Sequence, residues 1–386
     1  MKKYLTLIAA ATLMAACSNE ADQTEQQAEG QPIAVAVAEG GLTRATGEVS
    51  IPRQIADNGF GLFGCYTGQL TYENTSVSPD FMYNQKVNSP DKGETWEYYP
   101  LKYWPNSTNP GSDEYNEYIS FFAYAPYEAS PRDDGRCIFG MSNKYEKGDP
   151  WVNYRLAEDP WDDANPQVDL MYGVRYKSAG PNGSDLLFTD QKKPVINETM
   201  KFYFQHALAC IGDKITIRLS DELYNLVKGE EYTDYASIIA TGLTIDYINL
   251  TTKARLYLNS PSGPNWKEII SGEITCDRQL KIKDLLKTLT NEPQTLSEGQ
   301  GLFYIPMQVK GTDAPYANIT LSYAIRNNAG SVYEGTTSTR IDLDLNLEGQ
   351  KEGIALILGK DLDLLHLTYP ITREDATEPS YSRQWK

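Results

Sequence analysis

Short apolar runs bounded by turn residues recur along the chain. "GFGLFGCY" (59–66), "EYISFFAYAPY" (117–127) and "VDLMYGVRY" (168–176) combine aromatic, β-branched and other apolar residues. "GLTIDYINL" (242–250) alternates apolar with polar side chains, and "GLFYIPMQV", "ANITLSYAIR" and "EGIALILG" follow. Runs of this kind, separated by Gly, Asn and Pro, predict β-strands. Their number and spacing predict an all-β fold built from β-sandwiches.

One stretch has helical spacing instead. In "LKIKDLLKTL" (280–289), Ile282, Leu285, Leu286 and Leu289 stand at i, i+3, i+4 and i+7. This stripe predicts a short amphipathic helix whose apolar side faces the core.

The polar segment "TDQKKPVINE" (189–198) contains Pro194 and separates two β-rich halves of similar size. It predicts a domain boundary, with an N-terminal domain over residues 33–195 and a C-terminal domain over residues 196–386. Immediately after it, "TMKFYFQHALACIGDKITIRL" (199–219) predicts two strands joined by a short helical or turn-like piece.

The segment "IAVAVAEGGLTRAT" (33–46) precedes these runs. Ile33, Val35 and Val37 share one face of an extended chain and two alanines share the other. This alternation predicts a first strand over residues 33–38 with one side that can enter a core. Two glycines and an Arg44–Ala45 bond follow, which predicts a flexible connection that a trypsin-like protease can reach. The alternative is that Arg44 is an ordinary surface arginine in a loop.

The N-terminus has the features of an export signal. Residues 1–16 begin with two lysines, continue with a short apolar run and end in small residues before Cys17, which resembles a bacterial lipobox. The resemblance implies cleavage before Cys17 and lipid on that residue, and several acyl chains would anchor it stably. The polar, acidic residues 17–32 predict a tether. The alternative is a plain secretory signal with an incidental cysteine.

The net charge and the cysteines limit which partners and which covalent links are expected. The chain has 386 residues and a net charge of −17, which repels nucleic acid and anionic lipid, so neither is expected as a partner. Beyond Cys17, the cysteines Cys65, Cys137, Cys210 and Cys276 form no CxxC or CxxxH spacing. They allow either two disulfides or four buried free thiols.

Motifs for catalysis or cofactor binding are missing from the sequence. It has two histidines, His206 and His366, and no nucleophile elbow, zinc-protease motif, dinucleotide fingerprint or P-loop. We therefore expect no enzyme, no cofactor and no metal site, although a convergent carboxylate pair of the glycosidase type stays open. The run 342–349 reads as a strand and not as a calcium loop, and the acidic run 158–169 reads as a solvated loop.

Several pieces together resemble a known family. "FGLFGCYTG", "LKYWPN", "ISFFAYAPY", "DLMYG", "KFYFQHALACIGDKITI", "GLTIDYINLTTKARLYL" and "LFYIPMQV" occur in this order behind a lipoprotein leader. The succession resembles the fimbrillin-like proteins of Bacteroidales, the subunits of type V pili, from about residue 33 to the C-terminus. The resemblance implies two transthyretin-like β-sandwich domains in tandem with few short helices.

The resemblance also implies an assembly route. The subunit would reach the outer membrane as a lipoprotein, be cleaved by an arginine-specific protease at the position matching Arg44, and polymerise with other pilus subunits in a fimbrium by strand exchange. We expect the donor near the C-terminus, with Leu362, Leu364, Leu367 and Tyr369 as its candidate residues. Host or bacterial surface ligands are further expected partners. The alternative function is a glycan-binding lipoprotein that stays anchored, with Trp and Tyr side chains stacking on sugars.

Overall fold

The chain is built from strands throughout the part that the structure describes. A computed structural model describes residues 30–38, 53–163, 166–175, 187–228, 237–269, 271–327, 329–346 and 351–371. The first strands are β1 (Ala34–Val37), β2 (Phe60–Gly68), β3 (Met82–Val87), β4 (Tyr118–Ala125), β5 (Ile138–Met141), β6 (Trp151–Arg155), β7 (Met171–Val174), β8 (Phe188–Gln191), β9 (Thr199–His206) and β10 (Ala209–Leu219). The others are β11 (Ser237–Thr251), β12 (Lys253–Tyr257), β13 (Asn265–Glu268), β14 (Thr275–Thr288), β15 (Gln294–Glu298), β16 (Leu302–Tyr304), β17 (Tyr316–Arg326), β18 (Val332–Asp342), β19 (Lys351–Leu358) and β20 (Leu364–Pro370).

Helices within these ranges are short. The α-helices are α1 (Arg53–Asn58) and α2 (Asp221–Lys228), and two 3₁₀ turns cover Tyr72–Asn74 and Asp113–Asn116. The prediction of an all-β fold with few short helices is therefore confirmed. Within the described residues, no helix has the length and apolar character needed to cross a membrane.

Four sheets hold the strands. The first has seven strands in the order β1-β9-β7-β4-β2-β3, with β8 also paired to β4. The second has the order β15-β10-β19-β20 with β16 on β10, the third β14-β11-β17-β18, and the fourth β13-β12-β6-β5. The turn between β9 and β10 is only two residues long, which agrees with the predicted turn-like "QHALA".

Strand β4 explains why its sequence is a continuous apolar run. Ile119, Phe121 and Ala123 on one face pack into a cluster that also contains β1, and we call this cluster the N-terminal core. Phe122 and Tyr124 on the other face pack into a larger cluster, the main core. Because both faces of the strand are covered, polar alternation is absent from its central positions.

The main core continues across the predicted domain boundary. It extends from Phe63 and Phe122 in the first sheet to Leu364 in the second sheet. Backbone pairing also crosses residue 195, because β9 pairs with β1 and β12 pairs with β6. The division into residues 33–195 and 196–386 stays a prediction, and any two units defined by it share this core and these ladders.

The helix predicted at residues 280–289 is wrong. These residues belong mainly to β14, which pairs antiparallel with β11, for example Leu280 with Ile245 and Ile282 with Leu243. A ten-residue helix is marginal by itself, whereas β11 offers a long ladder of backbone partners. Left-handed residues at Asp284 (φ 55°) and Leu286 (φ 43°) coincide with a register shift in the β11–β14 ladder between Lys283 and Lys287, and the Leu286 side chain there is exposed to solvent.

The strand expected at residues 342–349 is wrong for residues 343–346. Strand β18 ends at Asp342, and the Asp344 carboxylate then accepts a hydrogen bond of 2.8 Å from the Asn346 N–H. Such a local side-chain bond favours a turn over a ladder. Residues 347–350 lie outside the described ranges.

All four cysteines in the described residues are buried, and none of them belongs to a disulfide. The structure thus decides for free thiols over two disulfides. Burial, reinforced by the nearby Asp80 and Asp149, raises the pKa of the Cys65 thiol to about 12. Burial likewise raises the pKa of Cys137 and Cys276.

Alanine substitutions at two leucines of β14 distinguish the strand from the helix. Leu280 is 5% exposed and Leu286 is 74% exposed. We expect Leu280→Ala to lower the free energy of unfolding by about 2–4 kcal/mol. Leu286→Ala should change it by less than about 0.5 kcal/mol. Urea titration measures both, and a larger loss at Leu286 would support the helical stripe instead.

Alkylation tests the state of the thiols. With iodoacetamide at pH 8, Cys65, Cys137, Cys210 and Cys276 should stay unmodified in the native protein, because they are buried and the thiolate is the reactive form. After unfolding without reductant, all four should be alkylated. Peptide mapping by mass spectrometry identifies each site. A disulfide-linked peptide pair in the unreduced digest would contradict the structure.

Candidate functional site

Residues 31–38, which we call the leading segment, form the edge of the first sheet. Ile33, Val35 and Val37 are 1%, 4% and 6% exposed, while Ala34 and Ala36 on the opposite face are partly exposed. The structure therefore places the three core-facing residues of the predicted first strand in the N-terminal core.

The leading segment forms hydrogen bonds on two sides. Along one side, β1 runs parallel to β9 with Val35 opposite Met200, and the Ala38 N–H donates to Phe202 O at 2.8 Å. At its start, the Ile33 N–H donates to Lys102 O (2.9 Å), and Gln31 O accepts from Trp104 N–H (3.0 Å). The segment thus lies in a slot whose two walls both offer backbone groups.

Sequence reasoning missed the second wall. The stretch 102–104 lies within "LKYWPN", which the sequence analysis treated only as a family motif. The Tyr98 hydroxyl also donates to Ile33 O at 2.8 Å, which fixes the start of the leading segment. Aromatic residues concentrated between two prolines were the available signal, but pairing over this sequence distance has no local pattern.

Aromatic side chains form the floor of the slot. Phe202 packs against Phe188 with ring centroids 4.6 Å apart and against Phe60 at 5.9 Å, and Trp104 meets Phe121 edge-on at 5.9 Å. The three apolar side chains of the leading segment close this floor from above. At about 1.5–3 kcal/mol for each buried side chain, their burial contributes roughly 5–9 kcal/mol gross.

The chain is anchored on both sides of the predicted cleavage point. Before it, the leading segment fills the slot, and after it, Ile55 of α1 is fully buried in the same N-terminal core. Arg44 and Ala45 lie between these anchors in the sequence and outside the described residues. Cys17, which precedes the leading segment, also lies outside the described residues. Within the described residues, hydrogen bonds and side-chain packing hold the leading segment against β9, the stretch 102–104 and the N-terminal core.

The candidate donor residues lie on and beside another sheet edge. Strand β20 is the last strand of the second sheet and pairs antiparallel with β19. Leu364 and Tyr369 are buried there, whereas Leu362 and Leu367 are partly exposed. The structure does not bring β20 and the leading segment together, since they belong to different sheets.

The polar groups considered for chemistry have structural partners. His206 Nδ1 lies 2.5 Å from Asp169 Oδ2, and His366 Nδ1 lies 2.8 Å from the Thr339 hydroxyl. In the acidic run 158–169, the Asp159 carboxylate accepts from the Trp161 N–H at 3.1 Å and shapes a turn. Within the described ranges, no group of three or more His, Cys, Asp or Glu side chains is placed to hold a metal ion.

Comparisons with known proteins agree with this architecture. No family model matches the chain. Over 346 residues it is 25% identical to fimbrium subunit Fim1C of Phocaeicola vulgatus, covering 84% of this chain and 82% of that subunit. Its fold matches a crystal structure of a fimbrial protein from Bacteroides vulgatus with a TM-score of 0.63, at 20% identity, covering 88% of this chain and 99% of the other. The resemblance to fimbrial proteins of Bacteroidales is confirmed.

Two aspartate substitutions test the placement of the leading segment. Val35→Asp buries an unpaired carboxylate among aromatic side chains and should cost about 3–5 kcal/mol of unfolding free energy. Ala36→Asp places the same group on the partly exposed face opposite Lys201 and should cost about 1 kcal/mol or less. Urea titration followed by tryptophan fluorescence reports on both, because Trp104 belongs to this core. Equal losses would show that the strand's two faces are not distinguished as described.

Proposed function

We propose that this chain is a structural and adhesive subunit of a cell-surface pilus. The observation that carries the proposal is the leading segment: an edge strand that fills an aromatic slot between two hydrogen-bonding walls. Similarity to a fimbrium subunit over most of the chain supports the same role. The role proposed here includes no catalytic step and no cofactor.

The proposed route begins with export as a lipoprotein. Residues 1–16 direct secretion, Cys17 carries the lipid, and residues 17–32 form the tether to the outer membrane. At this stage the leading segment protects the slot, because the apolar floor and the free backbone groups of β9 would otherwise promote aggregation. In the precursor, the folded part of the subunit is thus connected to the lipid and the tether through its own first strand.

Cleavage after Arg44 then removes the covalent link between the leading segment and the rest of the subunit. The described part of the cleaved subunit is held together through α1 and the sheets, while the leading segment is held by side-chain burial and backbone hydrogen bonds alone. Its departure exposes the slot, and a strand from a second copy can enter it by β-augmentation. The incoming strand must present apolar side chains at alternate positions, as the leading segment does.

Strand β20 is the donor candidate within this chain. It is an edge strand that carries three of the candidate residues, Leu364, Leu367 and Tyr369, and Leu362 lies two residues before it. Donation would require β20 to leave β19, and this would remove Leu364 from the main core. The assembled polymer must therefore recover in the slot what β20 loses in its own sheet.

Arginine replacement tests the route. We expect Arg44→Ala to leave the protein as a lipidated monomer, because an arginine-specific protease has no bond to cut there. The wild type should form SDS-resistant ladders and filaments visible by electron microscopy. Arg53→Ala is the matched control, since Arg53 opens α1 and its loss should leave processing unchanged.

The outcomes separate the alternatives. Ladders from Arg44→Ala equal to those of the wild type would overturn cleavage and exchange at this position. A wild type that stays lipid-anchored and monomeric while binding polysaccharide would instead support the glycan-binding lipoprotein.

A further inference from the structure

The outer face of the fourth sheet carries a group of cations that the proposed pilus role does not use. In β6 and β12, Val152, Tyr154, Ala254 and Leu256 point into the main core. The alternate residues therefore point outward. Lys267 lies on the same side, because it is the register partner of Arg255 on β13. Arg155 also points outward, but it is paired with Asp133. We call Trp151, Asn153, Lys253, Arg255 and Lys267, which belong to this outward side, the cation face.

Arg255 is held in one orientation. Its guanidinium carbon lies 3.5 Å from the centroid of the Trp151 ring, and its Nε donates to Asn153 Oδ1 at 3.0 Å. Trp151 is itself fixed, because its Nε1 donates to Glu146 Oε1 at 2.9 Å. Gly140 leaves room for this arrangement, since a Cβ there would lie 2.8 Å from the Asn153 amide nitrogen.

Arg255 differs from several other arginines of the chain in how its guanidinium is paired. Arg136, Arg155 and Arg340 each form an ion pair with an aspartate, whereas Arg255 pairs with no carboxylate among the described residues. Its two terminal nitrogens also have no hydrogen-bond acceptor within the described part of the chain. A stacked, oriented guanidinium with both terminal groups available matches the two oxygens of a carboxylate or sulfate.

Two lysines extend the charge. Lys267 is the register partner of Arg255 on β13, and neighbouring strands lie about 4.8 Å apart. Lys253 is two residues from Arg255 on the same strand, about 6.6 Å along it. Neither lysine forms an ion pair with a described carboxylate. Three cations that form no ion pair with the described carboxylates therefore lie together on a chain whose net charge is −17.

A polar groove adjoins the face at Asn265, the residue opposite Tyr257. Its volume is about 540 Å³, and Asn259, Ser262 and Asn346 are among the residues that line it. Amide and hydroxyl groups of this kind exchange hydrogen bonds with sugar hydroxyls. The face thus offers cations for anionic groups and, beside them, uncharged partners for hydroxyl groups.

We infer that the cation face binds an acidic polysaccharide through the carboxylate or sulfate groups of its sugars, with Arg255 as the central contact. Charge complementarity favours a sparse polyanion. DNA carries one charge per ~1.7 Å, so the field of a strongly acidic protein opposes it more than a chain with one charge per sugar or fewer. The inference concerns a surface separate from the leading segment and stands without the pilus proposal.

Binding is measured by calorimetry at low ionic strength with four probes: polygalacturonate, chondroitin sulfate, neutral dextran and a short DNA duplex. We expect both acidic polysaccharides to bind, with affinity that falls as salt rises. Stronger binding of polygalacturonate assigns carboxylate recognition, and stronger binding of chondroitin sulfate assigns sulfate recognition. Dextran should not bind, and DNA should bind at least about tenfold more weakly.

Variants locate the site. Arg255→Gln should weaken acidic-polysaccharide binding about tenfold or more. Arg255→Lys keeps the charge, loses the forked geometry and should fall between. Arg340→Gln is the matched control, since Arg340 also stacks on an aromatic ring (3.7 Å from Tyr316) and its loss changes net charge equally, but it is paired with Asp342.

Several outcomes would overturn the inference: no binding of either acidic polysaccharide, equal binding of dextran or DNA, or equal effects of Arg255→Gln and Arg340→Gln. Thermal unfolding confirms that the variants fold, and Arg255→Lys keeps the test decisive if Arg255→Gln does not. Polymerisation is scored separately and should be unchanged in Arg255→Gln, so failure of the pilus proposal is distinguishable from failure of this one.

Discussion

The pairing of Ala34–Val37 with β9 is the interaction on which the N-terminal part of the molecule depends. Without it, β9 would present unpaired N–H and C=O groups at the edge of a sheet whose floor is aromatic. The same segment bonds the stretch 102–104, so it joins an edge strand to a loop that is distant in sequence. The leading segment thus supplies hydrogen-bond partners to the backbone of β9 and of the stretch 102–104, and its side chains complete the N-terminal core.

The first sheet has no solvent face along β4, because the N-terminal core covers one side and the main core covers the other. Because both faces of the first sheet are covered along β4, another strand can join this sheet only at its edges. Strands β1 and β20 occupy such edges in the first and second sheets, whereas the cation face lies on the broad side of the fourth sheet. Assembly through strand addition therefore leaves the cation face open, since β-augmentation uses backbone groups at edges and not outward side chains.

Much of the strand content could be predicted from the sequence, and the errors have a common origin. The alternation in the leading segment and in β11, and the continuous apolar run of β4, report which faces are covered. At residues 280–289, by contrast, the apolar spacing fits a helix locally, and pairing with β11 overrides that preference. At residues 343–346 the alternating pattern ends in a turn, where the Asp344 carboxylate accepts a hydrogen bond from the Asn346 N–H.

The sequence by itself determined that this is an all-β chain with a core-facing first strand, because the period of side chains along an extended backbone is a local property. Tertiary structure alone decided what that strand contacts: β9 on one side, the stretch 102–104 on the other. It also decided that the four described cysteines form no disulfide and that Trp151 supports Arg255 from an adjacent strand. These contacts join residues far apart along the chain, and their geometry arises only when the sheets assemble.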